Sequence, residues 1–191
     1  MYKCLIFIFL LIFGFGHQLS AQRISEKGFG IVHLERHQFT FGTGFRYELG
    51  LFRNVSASTS FAPGLAAYQE GYTFGLAFNI RIRYYHNFQE RLDINKKVVG
   101  NSANYIGPAR SAFFGALQLT NSIRDDRDFN LEFFGGVYGI QRTYRSGFNV
   151  NAELGFGYYR GDGVLNGYGG LFSFSVGWVA TKRRSRTPTF D

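Results

Sequence analysis

Residues 73–85 read TFGLAFNIRIRYY, an unbroken alternation of large apolar residues with small or polar ones. Phe74, Leu76, Phe78, Ile80, Ile82 and Tyr84 fall on one side; Gly75, Ala77, Asn79, Arg81, Arg83 and Tyr85 fall on the other. Successive side chains of a strand point to opposite faces, so this stretch reads as a strand with one greasy face. The other face carries two arginines, which are costly in a dry core and acceptable in a polar interior. The greasy face must then look outward, into an apolar surrounding.

Three further stretches repeat the pattern. In 148–159, Phe148, Val150, Ala152, Leu154, Phe156 and Tyr158 oppose Asn149, Asn151, Glu153, Gly155, Gly157 and Tyr159. In 39–51, Phe39, Phe41, Phe45, Tyr47 and Leu49 oppose Thr40, Gly42, Gly44, Arg46 and Glu48. In 171–180, Phe172, Phe174, Val176 and Trp178 oppose Ser173, Ser175 and Gly177. Weaker strands are expected at 28–34, 55–65, 109–119 and 129–142, the last with Glu132 beside Phe134 and Tyr138. Runs of about ten residues match a tilted membrane crossing, and about eight strands is an even count, as single-chain outer-membrane barrels have. With 23 Phe, 12 Tyr, 25 Gly and 3 Pro in 191 residues, aromatics take the place that Leu, Ile and Val hold in a soluble core. The fold class expected is all-β: a transmembrane antiparallel up-and-down β-barrel of about eight strands.

The connections orient it. Those at 51–54 and 143–146 are tight; those at 66–72, 121–128 (NSIRDDRD) and 161–170 (GDGVLNGYGG) are longer and polar or Gly-rich. Short turns belong on the periplasmic side and long loops outside. The stretch 86–104, HNFQERLDINKKVVGNSAN, is periplasmic by parity, between strands four and five. Phe88 and Leu92 have helical spacing, so a short helix followed by a turn is expected here, with a long polar turn as the alternative. Arg91, Lys96, Lys97, Asn101 and Ser102 are its candidate functional residues, the lysines near lipid phosphates.

The ends set the compartment. Lys3 precedes the apolar run 4–16 (CLIFIFLLIFGFG), and a short polar stretch ends in Ser20-Ala21. This layout is a secretory signal peptide cleaved after Ala21, with a retained anchor as the alternative. The expected division is signal peptide 1–21, β-barrel 22–180 and basic C-terminal tail 181–191 (TKRRSRTPTFD), in the cell outer membrane. The only cysteine, Cys4, leaves with the signal, which excludes a disulfide framework and a thiolate metal site. Lys+Arg 21 against Asp+Glu 13 leaves the chain basic. An exported protein has outer-membrane lipid and lipopolysaccharide as its anionic partners, and no nucleic acid.

The run Arg83-Tyr84-Tyr85-His86-Asn87-Phe88-Gln89-Glu90-Arg91, then Lys96-Lys97 and Gly100-Asn101-Ser102-Ala103-Asn104-Tyr105, resembles small outer-membrane β-barrel proteins of Bacteroidota. Those carry an Arg-x-Tyr-Tyr-Asn-Leu-x-x-Arg stretch, a lysine-rich turn and Asn-Ser-Gly-Asn before a strand. His86, Phe88 and Ala103 depart from that pattern. The resemblance implies the outer-membrane address and use of the barrel-assembly machinery for insertion. It implies no catalytic residue.

His33 and His37 near the first loop, with Ser122, Asp125, Asp126 and Asp128 in a later one, are the raw material for a lipid-modifying enzyme. No spacing requires it, and Arg124 and Arg127 interleave the aspartates, so loop salt bridges explain them better than a cation site. No catalytic, cofactor or metal residue is assigned. The interior-facing set Arg46, Glu48, Arg81, Arg83, Glu132 and Glu153 predicts a charge network that plugs a narrow barrel. The function expected is non-enzymatic: envelope structure, scaffolding or binding of a surface ligand. A membrane-embedded lipid-modifying enzyme and a narrow channel are the alternatives.

Overall fold

The computed structural model describes residues 34–68, 71–94, 96–114, 120–121, 130–161 and 166–181. The signal segment, the strand expected at 28–34 apart from Leu34, the acidic loop residues Ser122 to Asp128, and the tail beyond Thr181 lie outside them. The elements are β1 (His37–Gly42), β2 (Phe45–Gly50), β3 (Val55–Tyr68), β4 (Gly71–Tyr84), α1 (Phe88–Asp93), β5 (Asn104–Phe114), β6 (Thr120–Asn121), β7 (Leu131–Thr143), β8 (Phe148–Gly161) and β9 (Gly167–Val179). The chain is all-β, with eight antiparallel strands of six residues or more in one sheet. The two-residue β6 extends that sheet beside β4, pairing Thr73 with Asn121 and Phe74 with Thr120.

Each longer strand is hydrogen-bonded on both sides. β1 pairs with β2 and β9, β2 with β3, β3 with β4, and β4 with β5. β5 pairs with β7, β7 with β8, and β8 with β9. β2, β4 and β7 end at the side of the sheet that carries α1; β1, β3, β5 and β8 end at the other.

The stretch 39–51 is two strands, not the one its alternation predicts. Phe41 pairs with Phe45, and the Gly42 N–H donates to the Gly44 carbonyl at 3.0 Å. Three residues make the turn, so Phe41 and Phe45 return to the same face and the period runs through it in phase. The expected loop at 66–72 is shorter, because β3 and β4 stay paired as far as Tyr68 and Gly71. Likewise β9 begins at Gly167, inside the expected loop at 161–170.

The lengths are uneven. β2 pairs with β3 only as far as Phe61, and β1 meets β9 only at Thr40, Phe41 and Gly42. Beyond these points 62–68 pair only with β4, and 167–175 only with β8, among the described residues.

The two faces differ sharply. Gln38, Glu48, Ser56, Arg83, Gln141, Asn149 and Asn151 are all buried on one. Phe45, Ile82, Leu154, Phe156, Phe172 and Trp178 stand exposed on the other, Phe172 at 72%. This inverts the usual rule that large apolar groups go inside and charges stay in water.

Candidate functional site

The buried face gathers its charges near the α1 end. Glu48, on β2, is fully buried. Its Oε1 accepts from Ser56 Oγ at 2.8 Å, Tyr85 OH at 2.7 Å and Asn101 Nδ2 at 2.8 Å, and its Oε2 accepts from Arg83 Nη1 at 3.1 Å. Glu153, on β8, accepts from Arg83 Nη2 at 3.0 Å, Arg81 Nε at 3.1 Å and Tyr105 OH at 2.6 Å. Arg83 thus bridges two carboxylates, and its guanidinium lies 4.5 Å from the centre of the Tyr105 ring. Arg81 spends its other donors on the Arg110 carbonyl at 2.8 Å and Ser111 Oγ at 3.1 Å. Buried charges are tolerated when paired and hydrogen-bonded, as these are. Burial, then the Glu48 carboxylate, pushes the Tyr85 phenol well above its usual range and keeps it a donor.

A glycine makes room for the cluster. Gly139 faces Tyr105 across β5 and β7, and a Cβ there would sit 2.1 Å from the Tyr105 ring. The flat face of Tyr105 can therefore lie over β7 and reach Glu153.

Residues 98–103 close against this cluster from below. Gly100 and Asn101 take left-handed backbone, φ 59° and 57°, which turns the Asn101 side chain into the interior. Asn and Gly are the residues that adopt this region at least cost. Asn101 Oδ1 also accepts from the Glu35 N–H at 2.8 Å. Ser102 Oγ accepts from the Thr143 N–H at 2.7 Å and donates to the Val99 carbonyl at 2.7 Å. α1 is the short helix expected here, and its Phe88 is buried. Lys96 and Lys97 are exposed, and Arg91 Nη2 reaches the Lys97 carbonyl at 3.0 Å. Partial burial, then Arg142, lowers the Arg91 pKa. The five residues picked out in this connection therefore divide: Asn101 and Ser102 belong to the interior cluster, and the three cations to the surface.

Arg46 is the exception among the buried cations. It donates to Asn149 Oδ1, but its Nε has no partner and it has no ion pair among the described residues. Thr40, directly across from it on β1, has an unpartnered buried hydroxyl. Both line a cavity of about 910 Å³ that fills the half of the buried face away from α1. Its floor carries Asn79, Arg81, Asn151 and Glu153; its walls are Ala62, Ala77, Phe113, Phe133 and Leu171.

Glu132 is a correction. It lies on the exposed face of β7, paired with Arg110 at 2.8 Å, both well exposed. Both faces of β7 carry apolar groups, so alternation alone cannot tell which is turned in. His37 starts β1 at the α1 end, paired with Leu49 and with Nδ1 2.6 Å from Tyr47 OH, not near the outer loop expected of it. His33, Ser122, Asp125, Asp126 and Asp128 lie outside the described residues. Sequence reasoning passed over Thr40, Tyr105, Gln141 and Asn149 as site residues; their only signal was a place on the polar face of a strand.

Among the described residues no helix is long and apolar enough to cross a membrane, which says nothing of strands. No family model, curated protein or solved structure matches the chain.

Proposed function

We propose that this chain is a small outer-membrane β-barrel whose role is non-enzymatic: structural, scaffolding or binding. The observation that carries it is the inverted distribution of polarity, with aromatic and aliphatic side chains exposed around the sheet and ion pairs buried beneath it. Water-soluble monomers rarely expose apolar patches beyond a few hundred Å². A bilayer removes that penalty. Three further observations support the reading. The succession of pairings leads from β4 through β3, β2, β1, β9, β8, β7 and β5 back to β4, as closure of the sheet requires. Six strands have 11 to 14 residues, more than the roughly nine to eleven that a tilted crossing needs. The resemblance to Bacteroidota barrels gives the same address, with lipopolysaccharide and phospholipid as surroundings and barrel-assembly machinery as the route of insertion.

The charge cluster and residues 98–103 favour a plugged interior over a conducting one. The paired carboxylates and guanidinium groups fill the interior at the α1 end with side chains, as narrow barrels do.

Fractionation of the native protein tests the reading, with gels of unboiled and boiled samples. Recovery in the outer membrane with a heat-dependent shift in mobility is expected. A soluble periplasmic protein with no shift would contradict it.

A further inference from the structure

We propose that the cavity takes a single-chain anionic amphiphile, entering sideways from the bilayer through a gap in the wall between β3 and β9. This rests on the membrane-barrel reading above.

The gap follows from strand lengths. β1 and β2 have six residues each, and their turn at Thr43 stands far below the ends of the flanking strands. Above that turn β3 continues through 62–68 and β9 through 167–175, each with its facing backbone edge unpaired among the described residues. An unpaired edge in hydrocarbon is costly unless something fills the space beside it. The cavity reaches this place, since Gly44, Pro63, Leu65, Phe172 and Phe174 line it. Leu65 and Phe172 are among the most exposed apolar side chains, at 66% and 72%. The opening is therefore greasy on both jambs, which suits an acyl chain and excludes a polar solute.

The floor selects the head group. Arg46 is buried, and neither an ion pair nor an Nε partner answers it among the described residues. The unpartnered Thr40 hydroxyl stands opposite. The interior holds Arg46, Arg81 and Arg83 against Glu48 and Glu153, and both carboxylates are committed to Arg83, one of them also to Arg81. Among the described residues the cation left without a carboxylate is Arg46, at the foot of the gap. A carboxylate or phosphate there would accept from the Arg46 guanidinium, while the tail lay along Ala62, Ala77 and Leu171 toward the bilayer.

The test places a reporter in the cavity. The chain has one tryptophan, Trp178, so the pair Trp178→Phe and Leu171→Trp leaves a single indole facing the cavity. The protein is folded into phosphocholine vesicles and titrated with a brominated fatty acid, and separately with its neutral methyl ester, which enters the same bilayer. The acid is expected to quench saturably and at least about tenfold more tightly than the ester, as a charge-assisted hydrogen bond in a buried site implies. Arg46→Gln should remove that preference and Arg46→Lys should restore most of it. Equal quenching by acid and ester, or an Arg46→Gln protein that keeps the preference, overturns the site. The heat-dependent gel shift is read on every sample. If it persists while the preference is absent, the amphiphile site alone fails; if it is absent in the parent protein, the barrel beneath it fails.

Discussion

The two halves of the buried face are built from the same strands and solved differently. Near α1, Glu48 and Glu153 collect donors from Ser56, Arg81, Arg83, Tyr85, Asn101 and Tyr105, and residues 98–103 fill the space below. At the other end small side chains such as Ala62 and Ala77 leave about 910 Å³ open, and Arg46 at its floor has no ion pair among the described residues. Charge by itself does not make a plug. What separates the halves is whether the buried guanidinium groups meet carboxylates, and whether backbone or bulky side chains occupy the rest.

The largest test of this contrast sets Glu48→Ala against Arg46→Met. Removing Glu48 strips Arg83 of one of its two carboxylates and leaves the donors of Ser56, Tyr85 and Asn101 unanswered, a loss of about 3–5 kcal/mol. Removing Arg46 takes away a charge with no ion pair, and stability should hold within about 1 kcal/mol or rise. Urea unfolding in phosphocholine vesicles, followed by the mobility shift, measures both. Equal losses would erase the distinction.

Asn101 comes next. Asn101→Ala loses two hydrogen bonds and sets a residue that tolerates left-handed backbone less well at φ near 57°, for about 2–3 kcal/mol. Asn101→Gly keeps the backbone and should lose less, and the difference isolates the left-handed turn.

The smallest pair uses one substitution in each half. Gly139→Ala drives a methyl into Tyr105 at 2.1 Å and should cost about 1–3 kcal/mol. Gly167→Ala, whose added carbon meets nothing within 4 Å, should stay within about 0.5 kcal/mol of the parent.

Period-two alternation made most of the strands and the polar face of β4 legible in the sequence, because every second residue of 73–85 obeys it. The hairpin inside 39–51 was not, since its three-residue turn preserves phase; the only mark was the Gly42-Thr43-Gly44 punctuation. The ion-pair partners of Arg81 and Arg83 could be named as a set but not matched, because pairing depends on strand neighbours far apart in sequence, 35 residues from Glu48 to Arg83 and 72 from Arg81 to Glu153. Arg46 looked like one more member of that set. Its lack of an ion pair among the described residues depends on strand neighbours in the same way, which no local pattern announces.

The central claim is that the apolar face meets lipid. Trp178 stands on that face, half exposed, and is the only tryptophan of the chain. Quenching of its fluorescence by chain-brominated phospholipids, compared with acrylamide from the aqueous side, tests the claim directly. Strong quenching by the brominated lipid with little effect of acrylamide is the predicted result. Free access to acrylamide with no effect of brominated chains would contradict it.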